Sequence, residues 1–204
     1  MKQSPSPAAI KKLRTLAQIA ADLRKGDDFP ITRLTTIKSL CADPEAAAKF
    51  ALHIAQLTLK KMKSRSRPGH GTASAGTRYR RLASDIVRSM TAYMKRRSAK
   101  TRESLHELLS EAKKAQNKYE HQRWGAVRIV QCWELLIVET ALECVLSPYG
   151  SSILGYQVAR QYAERYNSRY GTGLLPESAP MMEEIADFWG RHYLGQGWRE
   201  RLGM

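Results

Sequence analysis

Only a few residues of this chain have the types and spacing that catalysis at a metal would require. Glu103 and His106 form a Glu-x-x-His pair, the unit that di-iron carboxylate bundles use twice. The sequence has no second pair of this kind in a matching position. The other histidines show no metal-ligand spacing, and we expect surface or helix-packing positions for them: His53, His70, His121 and His192. The sequence therefore predicts no metal site and no cofactor.

Three acids, Glu134, Glu139 and Glu143, lie in the most apolar part of the sequence. Paired acids can act as general acid and base, and Glu139 and Glu143 could join Glu103 and His106 in a metal-dependent enzyme. Because buried carboxylates need partners, the favoured interpretation is that each acid pairs with an Arg, His or hydroxyl group of a flanking helix. No Ser-His-Asp order, phosphate-binding glycine motif or His-Glu-x-x-His motif is present. The chain is therefore predicted not to be an enzyme.

Positive charge is the most pronounced chemical feature of the sequence. The chain has 34 Lys and Arg against 19 Asp and Glu, which gives a net charge of +15. The excess is local, because residues 61–128 carry 18 basic and 5 acidic groups whereas residues 129–204 carry 6 and 9. A local excess predicts a basic surface that binds phosphate groups, and solvated helix faces in a basic protein are the alternative.

Arg81, Arg88 and Lys95 are predicted to lie on one helix face, and we call them the basic row. With Arg78 at 0° they fall at roughly 260° to 300°. Apolar residues occupy the opposite face: Leu82, Ile86, Met90, Tyr93 and Met94. Successive members of the row are about 10.5 Å apart along the axis, so the row could follow a polyphosphate backbone without any base contact. Asp85 interrupts this face and could pair with Arg81 or Arg88.

A stretch from Ser64 to Thr77 is rich in Pro, Gly and small polar residues and is predicted to be a flexible loop with basic ends. Such a segment can order on a nucleic-acid backbone, with sequence-independent and salt-sensitive affinity. The alternative is a connector whose lysines only end a helix. The candidate nucleic-acid-binding residues are Lys60, Lys61, Lys63, Arg65, Arg67, Arg78, Arg80, Arg81, Arg88, Lys95, Arg96, Arg97 and Lys100. Arg102 lies just beyond them.

Aromatic residues form two further groups near the C-terminus. Tyr162, Tyr166 and Tyr170 recur every four residues and could stack on unpaired bases, but helix packing explains the same spacing. The second group is expected either to cover the C-terminal end of the core or to contact a partner subunit: Phe188, Trp189, Tyr193 and Trp198.

The elements that must position these residues are predicted to be helices, because helical punctuation dominates and no alternating strand segment is found. We expect an all-α fold with one helical domain over residues 1–204, a single bundle of about six to eight helices with the flexible basic loop at residues 64–77. The first helix keeps apolar spacing from Ile10 to Leu23 and stops at Gly26. A short second helix is expected from Pro30.

The next helices are predicted from their caps and apolar faces. Asp43 is expected to cap a helix that has Pro44 in its first turn. Its buried face would contain Ala47, Phe50, Ala51, Ile54 and Leu57. Residues 78–123 contain no Gly or Pro, and a break is expected near "RRSAKTRES", where Thr101 could cap a new helix. Residues 124–148 are apolar almost all the way round, which predicts a helix at the centre of the bundle.

The sequence also indicates a cytoplasmic protein. The three cysteines, Cys41, Cys132 and Cys144, are odd in number and lack Cys-x-x-Cys spacing, so we expect buried free thiols in a reducing compartment. The N-terminal residues lack the apolar core of a signal peptide. Ionisable groups within residues 124–148 argue against the alternative of a membrane span.

Two stretches resemble the small subunits of CRISPR effector (Cascade-like) complexes, and are similar to the helical C-terminal domain of a large subunit. They read "FPITRLTTIKSLCADPEAAAKFALHIAQLTLKKM" and "YGTGLLPESAPMMEEIADFWGRHYLG" and cover under a third of the chain. The resemblance implies a non-catalytic structural subunit of a ribonucleoprotein complex with a role in antiviral defence. Its partners would be guide RNA, a target strand or a displaced single strand, and other subunits including copies of itself.

On this resemblance the basic row, with Arg96 and Arg97, would clamp nucleic-acid backbones, and residues 60–67 would be an adaptable arm. The alternative function is a helical assembly factor or adaptor that uses the basic face to bind an acidic protein.

Overall fold

The protein is described by a computed structural model that covers residues 6–27, 29–30, 34–64, 73–120, 126–164, 173–174 and 176–204. Its helices are α1 Pro7–Arg24, α2 Thr35–Leu40, α3 Pro44–Ser64, α4 Ala73–Lys95, α5 Ala99–Glu120, α6 Ala126–Leu146, α7 Ser151–Glu164, α8 Ala179–Leu194 and α9 Trp198–Arg201. Two short segments, β1 Phe29–Pro30 and β2 Gly173–Leu174, pair antiparallel. The predicted all-α bundle is confirmed. Short α2 and α9 bring the number of α-helices in the described residues slightly above the expected range.

The first helices begin where the sequence places their caps. The Oγ atom of Ser6 accepts a hydrogen bond from the Ala9 amide at 3.3 Å, and Pro7 opens α1. Asp43 Oδ1 accepts from the Glu45 amide at 3.0 Å at the start of α3. Gly26 has φ +96°, a conformation that ends the helical path after α1 at little steric cost. These caps confirm the predicted start of α3 and the predicted end of α1.

Helix α6 is the centre of the bundle. It packs against α3, α4, α5 and α7. Helix α8 packs against α1 and also contacts α3. The buried residues of α6 include Leu135, Ile137, Val138, Ala141 and Leu142. The prediction of a central helix is confirmed, since a helix that is apolar all round must be enclosed on every side. Among the described helices none is both long and apolar enough to cross a membrane.

The break between α4 and α5 differs in one detail from the prediction. The Thr101 amide donates to Ser98 Oγ at 3.2 Å, and the Ser98 amide donates to Thr101 Oγ1 at 3.2 Å. This is the reciprocal arrangement of a capping box, in which the first residue is the cap. Ser98 is therefore the cap of α5, and Thr101 lies three residues into the cap motif. The break itself is confirmed.

Part of the predicted flexible loop, residues 64–77, is helical. Helix α3 extends to Ser64, and α4 already begins at Ala73. Residues 73–77 are small and include Gly76, which costs about 1 kcal/mol in a helix interior. The long buried face of α4 offsets that cost. Residues 65–72 of the predicted loop lie outside the described residues.

Helices α2 and α7 meet at a point where only glycine fits. A Cβ atom on Gly155 of α7 would lie 2.5 Å from Cys41 Sγ and 2.9 Å from Cys41 Cβ. Ser151 Oγ also donates to the Cys41 carbonyl at 3.2 Å. Both Cys41 and Cys144 are buried, as predicted, and burial raises the pKa of Cys144 to about 12 and that of Cys41 further. The side chain of Cys132 lies outside the description.

Replacing Gly155 by Ala is expected to destabilise the protein by about 1 to 3 kcal/mol, because the new methyl group overlaps Cys41 Sγ. Urea denaturation measures this change. Gln157→Ala, at an exposed position of the same helix, is the control and should change stability by less than about 0.5 kcal/mol. Adding Cys41→Ala to the Gly155 variant removes the nearest atom and should restore part of the loss. A Gly155→Ala variant as stable as the original chain would contradict the packing described here.

Candidate nucleic-acid interface

The outer face of α4 carries the basic row. Arg81, Arg88 and Lys95 are all exposed. The opposite face packs into the core, with Leu82 5% exposed and Ile86 and Met90 fully buried. The predicted orientation of α4 is therefore confirmed. The contacts of α4 with α3, α5 and α6 fix this helix along its length, so the row has a set direction and spacing.

Ion pairing within the row is uneven. Arg88 pairs with Asp85, one of the two pairings predicted for this acid. In the part of the chain that the structure describes, no carboxylate pairs with Arg81 or Lys95. Arg80, Arg81, Asp85 and Arg88 line an open groove along α4 with Thr77 and Ser84. Asp85 thus offsets the charge of Arg88 at one end of this groove, and the end at Arg80 and Arg81 is the more basic one.

The basic surface continues past the end of α4. Arg96, Arg97, Lys100 and Arg102 are exposed beyond Lys95, and Arg78 is exposed near the start of α4. Residues 73–102 contain nine basic residues and one acidic residue. The pKa of Glu45 at the start of α3 is lowered, first by its hydrogen bond and charge contact with Lys49 and then by Arg97. Arg97 therefore lies near the start of α3, so the basic surface turns the corner at the end of α4.

The candidates at the end of α3 have a different environment. Lys60 is exposed. Lys61 is half-buried: its Nζ donates to Tyr162 Oη at 2.6 Å and to Glu184 Oε2 at 2.8 Å, and it stands 4.6 Å from the centre of the Tyr162 ring. Because α7 and α8 supply partners for its charge, Lys61 is a weaker candidate than the exposed cations, and its assignment to the nucleic-acid surface stays a prediction. Arg65, Arg67 and the side chain of Lys63 lie outside the described residues.

The C-terminal aromatic residues pack inside the protein. Tyr162 is fully buried, and its hydroxyl donates to Glu184, so helix packing explains this residue and base stacking does not. Tyr166 and Tyr170 lie outside the described residues. The ring of Phe50 lies 5.2 Å from that of Phe188 and 5.1 Å from that of Trp189. The interpretation of this second group as core is thus supported for its central members.

The four residues of the metal-site alternative are not brought together. Glu103 and His106 are exposed on α5. Glu139 and Glu143 lie where α6 packs against α5, and Lys113 Nζ donates to Glu143 Oε1 at 2.6 Å. Within the described ranges no three His, Cys, Asp or Glu side chains could hold a metal ion together.

Glu139 departs from the prediction that each acid of α6 has a partner. Glu143 has Lys113, as expected in kind although the cation is not an arginine. Glu139 is 8% exposed, and its Oε2 has no hydrogen-bond partner among the described atoms. Burial, and then the charge of Glu143, raise the pKa of Glu139 from 4.5 to about 7, against the opposing charge of Lys113. The sequence could not assign partners to Glu139 and Glu143, because their partners depend on which side chains of α5 reach α6.

A second open groove lies at the corner between α4 and α5, and we call it the corner groove. Its lining comprises Tyr93, Arg97, Ser98, Ala99, Arg102, Glu103 and His106. Tyr93, which is predicted to lie on the apolar face of α4, also lines this groove, and its spacing alone did not indicate that position. The usable signal was the position of Tyr93 just before a helix end, where a neighbouring helix no longer covers the whole ring.

No protein-family model, curated protein sequence or solved structure matches the chain. No residue role is therefore transferred to it from a relative. The candidate interface consists of the basic row, the exposed cations at the end of α4 and the corner groove.

Glu139 is expected to make stability fall as pH rises. The pKa of Glu139 is about 7 in the folded chain, whereas its ordinary value of 4.5 applies to the unfolded chain. Between pH 4.5 and about pH 7, folding is therefore accompanied by uptake of a proton. Stability is then highest below the lower value and is lost progressively until pH exceeds about 7. Glu139→Gln, which resembles the protonated form, should be more stable than the original chain at pH 8 by about 1 to 3 kcal/mol.

The advantage of Glu139→Gln should shrink toward pH 5, and urea denaturation at both pH values measures it. Glu107→Gln on the exposed side of α5 is the matched control and should show no such trend. An equal stability difference at pH 5 and pH 8 would contradict the shifted pKa.

Proposed function

We propose that this chain is a non-catalytic, basic structural subunit of a ribonucleoprotein complex that binds nucleic-acid backbones by sequence-independent contacts between Lys or Arg and phosphate. The single observation that carries the proposal is the exposed basic row on α4, which continues into the exposed cations at the end of that helix. The proposed ligands are guide RNA, a target strand or a displaced single strand. The proposal that the complex is a CRISPR effector-like ribonucleoprotein rests on the sequence resemblance to small subunits of such complexes.

The spacing of the row suits a polyphosphate. Arg81 and Lys95 are 14 residues apart on one helix, which corresponds to about 21 Å along its axis. Several phosphates of one strand fit within that length, and each phosphate that is neutralised releases a counterion. Because the apolar face of α4 is buried, the backbone that carries the cations is already ordered in the folded chain, and only their side chains lose conformational entropy on binding.

The cations on and near α8 are largely committed to carboxylates. On α8, Glu183 pairs with Arg24, while Asp187 pairs with Arg191 and with Arg199 at 3.0 Å. Three arginines share two carboxylates there, so only about one positive charge remains uncompensated among these groups. A phosphate polymer should therefore be attracted more strongly to the α4 side than to the α8 side.

Neutralising the row with Arg81→Gln, Arg88→Gln and Lys95→Gln should weaken binding of a random-sequence single strand at least about ten-fold near 0.1 M salt. Fluorescence anisotropy over a series of salt concentrations measures this. The slope of log K against log salt should become shallower by about 2, because each lost phosphate contact removes roughly 0.7 for a single strand. The fold should be retained, because all three side chains are exposed.

The matched control is Lys11→Gln, Arg14→Gln and Lys25→Gln, which removes the same charge from exposed positions on α1 and at its C-cap. This variant should keep most of the affinity. Equal losses in both triple variants, or no binding by the original chain, would contradict the proposal. If the protein instead purifies from its host with an acidic protein through a nuclease-resistant contact and without nucleic acid, the adaptor function replaces it.

A further inference from the structure

The corner groove brings together groups that the basic row does not have. Arg97 and Arg102 are exposed at its rim, and no carboxylate pairs with either within the described residues. Tyr93 is half-buried, packs in part against the core and also lines the groove. Glu103 and His106 complete the polar lining one turn into α5. An aromatic ring, two guanidinium groups and a hydrogen-bond acceptor therefore share one open site.

This combination does not fit a bare phosphate. A simple anion site has no use for an aromatic side chain, and Glu103 would oppose an anion. At the start of α5, the Ser98 and Thr101 amides are not available to an anion either, because they already donate to Thr101 Oγ1 and Ser98 Oγ. A nucleotide offers a π-face for a tyrosine, phosphates for arginines and, in adenine, cytosine or guanine, an amino group that a carboxylate can accept from.

We propose that the corner groove holds one unpaired nucleotide, with its base against Tyr93, its phosphates on Arg97 and Arg102, and Glu103 accepting from a base amino group. The inference rests on the proposed function and goes further, because it assigns a site for one unpaired base and predicts a preference for single strands over duplexes. It also adds Tyr93, Arg102 and Glu103 to the residues that bind nucleic acid.

The route from the basic row to the corner groove explains the preference for single strands. At 100° per residue, Tyr93 lies about 160° around α4 from Lys95. A strand that follows the row must therefore turn around the end of α4, past the exposed Arg96 and Arg97. A flexible single strand can make that turn within a few nucleotides. A duplex, with a persistence length of about 150 bp, is too stiff to do so and would reach only the row.

Tyr93→Leu tests the inference, because leucine keeps apolar packing but cannot stack as an aromatic ring. A single-stranded RNA of about 12 nucleotides with one 2-aminopurine base is titrated with protein, beside a duplex of equal length. The variant should bind the single strand about ten-fold more weakly and the duplex within two-fold of the original chain. Quenching of 2-aminopurine on binding should also be lost. Tyr93→Phe keeps the ring and should behave like the original chain.

Arg97→Gln with Arg102→Gln provides a second variant that leaves the core untouched, since both side chains are exposed. It should lower single-strand affinity more than duplex affinity. If both groove variants keep single-strand affinity and quenching while the triple variant of the row weakens both ligands, the inference is overturned and the proposed function stands. If the original chain binds neither ligand, both are overturned.

Discussion

Enclosure of α6 is the constraint on which the rest of the fold depends. This helix is apolar around almost its whole circumference, so water must be excluded from every side of it. Helices α3, α4, α5 and α7 surround it. Each of these helices must turn its apolar stripe inward, and its polar stripe is then outward by geometry. The exposed basic row on α4 is thus a consequence of the same burial that stabilises the protein, with Ile86 and Met90 as its inward counterparts.

The polar groups enclosed with the core show what that arrangement costs. Lys61, Tyr162 and Glu184 form a hydrogen-bonded group that links α3, α7 and α8. Lys113 and Glu143 link α5 to α6 in a similar way. These charged groups keep part of their contact with water and also have partners, whereas Glu139 is buried and its Oε2 atom has no hydrogen-bond partner among the described atoms. The elevated pKa of Glu139 is the thermodynamic mark of that imbalance.

Local sequence patterns predict those structural features that depend only on residues close together in the chain, such as helix caps and helix faces. The cap at Asp43 and the two faces of α4 follow from spacing alone, and both are confirmed. The pairing of Lys61 depends on Tyr162 and Glu184, which are 101 and 123 positions away in the sequence. No local sequence pattern can therefore predict it. The start of α4 at Ala73 was missed because small residues permit a loop and a helix equally, and tertiary packing decides between them. The corner groove lies where α4 ends and α5 begins. Projecting the residues of one helix around its axis cannot reveal a groove that two helices form together.

The contacts separate the cations that stabilise the fold from those that are available to a ligand. Lys61 and Lys113 sit between helices, so neutralising either of them would leave a carboxylate of α8 or α6 without its cation. Arg81, Lys95, Arg97 and Arg102 are exposed and, within the described residues, have no carboxylate partner. Changes at these four positions therefore act on the surface field and leave the core intact. Folding and ligand binding can vary independently here, because the charges of the outer surface are not needed to hold the helices together.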